Sequence, residues 1–376
     1  DPMRYKTFQD LQLSALGMGC MRLPLKGGNS EIDEEQTARM AAYAMAHGIN
    51  YFDTAWGYHG GNSESVMGKI LSAYPRDAYH LASKFPGYDL ANMPKVQEIF
   101  ARQLERCQSE YFDFYLFHNV CELNIDAYLN EEYGILDHLL KQKEAGRIRH
   151  LGFSAHGSIP VMERFLNAYG EHMEFCQIQL NYLDWSLQDA KGKVELLNAR
   201  HIPIWVMEPL RGGKLCALDE EAMSELQKLR PQESMSGWAF RFLQSIPGVT
   251  MILSGMSDMQ QLQENIETFA DEQPLNEDEM KTLTGIGRRM STSVPCTACR
   301  YCIEHCPRSL DIPELIRLYN DMVYSDGSFS ARNAVNALPA DKQPSACIGC
   351  GHCQALCPQQ IHIPDIMRDL ARRISE

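Results

Sequence analysis

The 376 residues predict an α/β fold, a closed (β/α)8 barrel of parallel strands with a small, mostly helical module behind it. Two observations carry this. Eight continuous apolar runs cross the first 290 residues, each followed by a helix-period segment or a long connection. That is how parallel strands covered by helices read, and eight units suit a closed barrel better than a doubly wound sheet. In addition, eight of the thirteen cysteines lie after residue 295, in a stretch of different chemistry.

The elements follow in order. Residues 5–13, turning at Asp10, read as a short hairpin that closes the barrel floor. Strands are expected at 16–19, 51–53, 80–84, 112–118, 150–155, 174–181, 204–208 and 250–255. Helical patterns begin at Asn62 and after Pro94, then recur over 133–145, 159–169, 187–199 and 258–269. The strand at 204–208 leads into a glycine-rich turn, Arg211-Gly212-Gly213-Lys214. Residues 273–290 read as a final polar helix and linker, which divides the chain into 1–290 and 291–376. In the second part 312–322 forms an amphipathic pattern starting near Pro313, and 361–374 resembles it.

The net charge of −14, from 35 basic and 49 acidic residues, argues against nucleic acid or an anionic membrane as partner. The last 86 residues hold eight basic and nine acidic side chains, so the acidity belongs to the barrel. No stretch approaches the ~18 apolar residues of a membrane span, and the first residues lack the apolar centre of a signal peptide. An odd number of clustered cysteines points to reduced thiols and metal rather than disulfides. A cytoplasmic protein is expected.

Asp53, Lys84, His118, Ser154, Gln177 and Glu208 each fall at or near the C-terminal end of an expected strand, the rim where barrel active sites lie. Any one of them alone suits a cap or an ion pair; six converging on one rim suit a site. Here the motifs meet a known pattern. Phe52-Asp53-Thr54-Ala55-Trp56-Gly57-Tyr58 and Gly61-Asn62-Ser63-Glu64, followed by Ser83-Lys84 and Phe117-His118, resemble the aldo-keto reductase signature. Gly17-Met18-Gly19, Gly152-Phe153-Ser154 and Glu264-Asn265 extend the resemblance over roughly residues 5 to 290.

The resemblance implies that Tyr58 is the general acid/base, Lys84 its tuner, Asp53 the lysine's partner and His118 the donor that orients the carbonyl. The chemistry agrees. Hydride arriving at a carbonyl carbon leaves charge on oxygen that must be stabilised and protonated. A phenol near pKa ~10 is a poor acid at neutral pH until an adjacent ammonium lowers it. The resemblance further implies a nicotinamide cofactor, NADP or NAD. Its carboxamide would meet Ser154 and Gln177, its pyrophosphate Pro209, Leu210, Gly212 and Lys214 together with Ser254 and Gly255, and its adenosine end Gln261, Glu264 and Asn265.

Three departures from that family stand out. Met207 takes the place of an aromatic ring that stacks on the nicotinamide. Ala155 replaces an asparagine after Ser154. The basic pair that holds a 2′-phosphate falls on Gly255 and Gln261, leaving Arg211 or Lys214 to supply that charge. The altered stacking also leaves room for a flavin.

In the tail, Cys296-x2-Cys299-x2-Cys302-x3-Cys306-Pro307 is repeated as Cys347-x2-Cys350-x2-Cys353-x3-Cys357-Pro358. This is the bacterial ferredoxin spacing for two [4Fe-4S] clusters, in which the cysteine before proline ligates the other cluster. Cys296, Cys299, Cys302 and Cys357 are expected to hold one cluster, and Cys347, Cys350, Cys353 and Cys306 the second. Zinc, which favours tetrahedral sets of two CxxC pairs, is the alternative. The module resembles the helical two-cluster ferredoxin domains of larger redox enzymes. The other cysteines read as packing, with Cys20 or Cys121 placed to line a pocket, and His156 as a rim histidine.

The function expected is interconversion of a small carbonyl compound and its alcohol, with the clusters linked to a one-electron carrier such as a ferredoxin or flavodoxin. A hydride carries two electrons and each cluster takes one, so a converter is needed. The alternatives are a flavin- or ferredoxin-linked reductase with another redox ligand on the rim, and a non-catalytic, nicotinamide-sensing regulatory subunit.

Overall fold

The computed structural model describes residues 3–376. A hairpin of β1 (Tyr5–Phe8) and β2 (Leu11–Ser14) precedes eight barrel strands. These are β3 (Leu16–Gly19), β4 (Tyr51–Asp53), β5 (His80–Phe85), β6 (Phe112–Val120), β7 (Ile148–Ala155), β8 (Cys176–Gln179), β9 (Ile204–Met207) and β10 (Val249–Ser254). They pair in sequence order, all parallel, and β10 closes on β3. The barrel is the (β/α)8 fold that the alternating pattern predicts.

The strands are apolar on both faces because both are covered. Phe114, Leu116, Phe175, Trp205, Met251 and Leu253 fill the interior, and Phe8 of the hairpin seals its floor, its ring 5.2 Å from that of Trp205. Gly17 faces this interior, where a Cβ would come within 2.7 Å of Leu253 Cδ2 and 2.9 Å of Met251 Sδ. The opposite strand faces pack against the surrounding helices in one continuous core.

Three barrel helices fall where the sequence gave no clear periodicity: Glu34–Ala46, Glu220–Leu229 and Met235–Gln244. The first is rich in alanine and methionine, which blurs its faces, and Asp33 caps it by accepting from Gln36 N at 3.1 Å. The third is buried almost all round, so its pattern shows little alternation. Helix Glu277–Ser291 completes the barrel, with a capping box formed by Asn276 and Glu279.

The cysteine module has its own core, including Leu310, Ile316, Met322 and Leu370. Its halves repeat in backbone as well as sequence. Ala298, Arg300 and Ser309 have positive φ, and so do Gly349, Gly351 and Gln360 at the equivalent places. Short helices Tyr301–Glu304 and His352–Leu356 are followed in each half by a long one, Ile312–Ser325 and Ile363–Ser375. A further helix, Phe329–Asn336, stands between them.

The module docks on the rim at the C-terminal ends of the barrel strands. Arg211, 8% exposed, bonds Asp184 of the barrel at 3.1 Å, and Asp321 and Ser325 of the module at 2.9 Å each. Lys214 donates to Tyr324 O at 2.7 Å, and Arg317 donates to Leu187 O at 2.6 Å. Val294 N and O both pair with the Asn320 side chain, fixing the linker.

Candidate active site

The turn after β4 is built to present one side chain. Ser63 Oγ donates to Cys20 O at 2.8 Å and pairs with Thr54 Oγ1 at 2.8 Å. His59, at φ 53°, accepts from Leu23 N through Nε2 at 2.9 Å. The Arg106 guanidinium lies 3.9 Å over the Trp56 ring. These contacts aim Tyr58 at the barrel mouth. From the end of β5, fully buried Lys84 reaches the Asp53 carboxylate at 2.9 Å, Thr54 O at 2.8 Å and Tyr58 Oη at 3.2 Å. His118, from β6, places its ring 6.1 Å from that of Tyr58, and its buried Nδ1 has no partner.

Burial alone would discharge the Lys84 ammonium. Asp53 and the phenol outweigh it and hold the pKa above the usual lysine value. Tyr58 departs from the expectation of a lowered pKa. Burial pushes the phenol up to about 12, with Asp53 adding to the rise, and the Lys84 ammonium recovers only part of it. Lys84 thus sets the phenol's stability against a larger desolvation. The His118 imidazole is held well below its usual value by burial and by the Lys84 charge, so it is neutral at physiological pH.

Tyr58, Asp53 and His118 line a cavity of about 680 Å³ at the barrel mouth. Gln177, Met207, Pro209, Leu210, Gly212, Lys214, Ser254, Gly255, Gln261, Glu264 and Asn265 line it too. Ser154 does not: it is buried and accepts from Asn119 N at 2.8 Å, which fixes the strand after His118. Gln177 presents an unpartnered carbonyl oxygen, while its amide nitrogen lies 3.8 Å from Met207 Sδ. Asn265 donates to Ser254 Oγ at 3.1 Å, and Gln261 accepts from Ser257 N at 2.8 Å.

Arg211 is engaged by Asp184, Asp321 and Ser325, whereas Lys214 is exposed at the cavity and gives one hydrogen bond to Tyr324 O. The sequence reading missed Arg22, paired with Glu208 at 2.9 Å, and the cavity roles of Gln179 and Gln188, whereas His156, read as a rim histidine, does line the cavity. Arg22 follows β3 and Gln179 ends β8, a signal that was present. The module residues Ser328, Phe329 and Ser330 also line the cavity, and nothing in the sequence marks them.

In the module, Cys296, Cys299, Cys302 and Cys357 surround one small cavity, and Cys306, Cys347, Cys350 and Cys353 another. Ile312 and Ile363 line both. Ala298 N donates to Cys296 Sγ and Gly349 N to Cys347 Sγ, each at 3.4 Å. Among the described residues no three His, Cys, Asp or Glu side chains converge at single-ion spacing. Four thiols set around a hollow suit a cluster better than one tetrahedral ion.

Comparison with known proteins agrees with both halves. The model of the aldo/keto reductase family matches residues 15–288. The chain belongs to the aldo/keto reductase family. A 4Fe-4S dicluster domain model matches residues 295–362, so this family member is an oxidoreductase carrying an iron–sulfur domain. The uncharacterized oxidoreductase YqkF of Bacillus subtilis is 26% identical over 309 residues, covering 73% of this chain and 92% of that protein. The holo form of the aldo-keto reductase AKR11C1 from Bacillus halodurans superposes with a TM-score of 0.62 at 23% identity, over 76% of this chain and 96% of that one. An aldo-keto reductase from Klebsiella pneumoniae in complex with NADPH gives 0.59 at 19% identity, over 76% and 94%. At these identities the structural likeness is one of fold. Among the described residues no helix is long and apolar enough to cross a membrane.

Proposed function

We propose that this chain interconverts a small carbonyl compound and its alcohol in the cytoplasm, in a barrel of residues 1–290 joined to an electron-transferring module of residues 291–376. The observation that carries the reading is Lys84, held between Asp53 and Tyr58 at the floor of the cavity. A bound nicotinamide supplies the hydride. The protein's own groups do the rest. Tyr58 Oη gives its proton to the oxygen that becomes the alcohol, and the Lys84 ammonium stabilises the phenolate left behind. Neutral His118 directs a ring nitrogen at the same oxygen and fixes the carbonyl's direction. Burial of this group keeps water from the developing charge.

The cavity fits a dinucleotide in volume, and the unpartnered Gln177 oxygen suits a carboxamide N–H. NAD is favoured over NADP. Arg211 is committed to Asp184 and the module and Arg22 to Glu208, and the adenosine end carries Gly255, Gln261 and the acidic Glu264.

The two sets of four cysteines suit one [4Fe-4S] cluster each, exchanging single electrons with a carrier such as a ferredoxin. Tyr58→Phe is the test. It should lower carbonyl reduction by roughly 10²–10⁴-fold and leave the visible absorption of the clusters unchanged. Full activity in that variant overturns the assignment.

A further inference from the structure

The cavity holds more polar chemistry than a carbonyl and a nicotinamide require. Gln188, 8% exposed, lines it with a buried Oε1 that has no partner. Its Nε2 faces Asp321 Oδ2 at 3.4 Å. A carboxylate only accepts, so the amide nitrogen faces Asp321 and the carbonyl oxygen is left at the cavity wall without a donor. Asp321 is itself held by Arg211, and it accepts from Ser325 and Ser328 at 3.0 and 2.8 Å.

His156, just past the end of β7, also lines the cavity and has an unpartnered, buried Nδ1. Burial and the nearby Lys193 charge hold its pKa down to about 4, so the ring offers one donor and one acceptor. The third wall comes from the module. Ser330 and Phe329 line the same cavity, with Phe329 half exposed.

These groups lie on the His118 side. His156 lies close enough to His118 to help hold its pKa down. In helix Phe329–Asn336, Asn333 Nδ2 lies 4.0 Å from Cys121 Sγ, just beyond the strand that carries His118.

We propose that Gln188 and His156, roofed by Ser330 of the iron–sulfur module, form a subsite for a hydroxyl group beside the reacting carbonyl. The substrate is then a small hydroxylated aldehyde or ketone, and the iron–sulfur module helps to select it. The inference rests on the reading of the barrel as a carbonyl reductase. A buried acceptor left unpaired costs binding when the ligand lacks a matching donor, and this discriminates by at least tenfold.

The test compares glyceraldehyde with propanal on the cluster-loaded, full-length protein supplied with NADH. A ratio of kcat/KM above about tenfold is expected, falling to within about threefold in Gln188→Leu and in His156→Leu. Equal rates in the parent protein, or a ratio that both variants retain, overturn the subsite. If neither aldehyde is reduced, the proposed activity has failed, and ligand-observed NMR decides the subsite alone. Binding of dihydroxyacetone over acetone, lost in Gln188→Leu, supports it; equal binding overturns it.

Discussion

Asp321→Asn is expected to loosen the iron–sulfur module from the barrel while leaving both folded. The carboxylate is 1% exposed and serves four donors, Arg211 and Gln188 across the boundary and Ser325 and Ser328 within the module. Asparagine keeps the shape and one accepting oxygen. It removes the charge facing the Arg211 guanidinium and sets an NH2 against the Gln188 NH2.

Stripping a buried ion of its partner costs about 3–5 kcal/mol. Asp184 still faces Arg211 at 3.1 Å, so about 2 kcal/mol is reasonable for that loss, with about 1 kcal/mol more for the stranded amide. A total of about 3 kcal/mol weakens docking roughly a hundredfold. Amide hydrogen exchange reads this directly. Exchange in the C-terminal half of helix Ile312–Ser325 and in Phe329–Asn336 should quicken, with helix Glu34–Ala46 as an unchanged reference. Unchanged exchange in the module helices would refute the idea that this charge cluster holds the domains together.

Gly255→Lys with Gln261→Arg should raise the NADPH-to-NADH ratio of kcat/KM about tenfold or more, since each charged hydrogen bond adds about 1.5–3 kcal/mol. The gain is reduced by the lost Ser257–Gln261 bond at 2.8 Å and by Arg22, whose Cβ lies 3.4 Å from a new Cβ at 255; an unmoved ratio contradicts the assignment of the adenosine end. Glu174 should lend acid-sensitive stability. Burial alone would raise its pKa, but His150, Leu151 N, Gln9 and Lys143 bring it down to about 2. A lowered carboxylate stabilises the fold above its unfolded pKa of ~4.3 and loses that contribution toward pH 2. Urea melts of wild type and Glu174→Gln should therefore differ at pH 6 and converge near pH 2. Cys299→Ser should lower bound iron and inorganic sulfide by about half, and an unchanged iron content contradicts the ligand set.

The barrel was readable because its signal is redundant: strands such as β6 are continuous apolar runs, and Asp53, Lys84 and His118 sit at their ends. The cysteine spacing was equally plain, since thiolate geometry leaves few alternatives. Helix Met235–Gln244 was not readable, because burial on all sides erases periodicity. The phenol's raised pKa was also hidden. The family resemblance implies a lysine near Tyr58, but the extent of desolvation emerges only when the mouth of the barrel is assembled. Arg211 misled for a related reason. Its place in a glycine-rich turn suggested a phosphate ligand, whereas its partner Asp321 lies 110 residues away on another domain. Ser328, Phe329 and Ser330 carry no motif; only docking turns them into a wall.

Helix Ile312–Ser325 joins two places that differ in chemistry. Its first turn, Ile312 and Pro313, lines the cysteine cavities, and its last residue, Ser325, lines the barrel cavity. At 1.5 Å per residue it is a rod of about 20 Å. A tilt of about 5° at the cysteine end moves the far end by about 1.7 Å, enough to break the bond from Arg211 to Ser325. The wall that Ser325 gives the barrel cavity is therefore only as well placed as the cysteine end of the same helix.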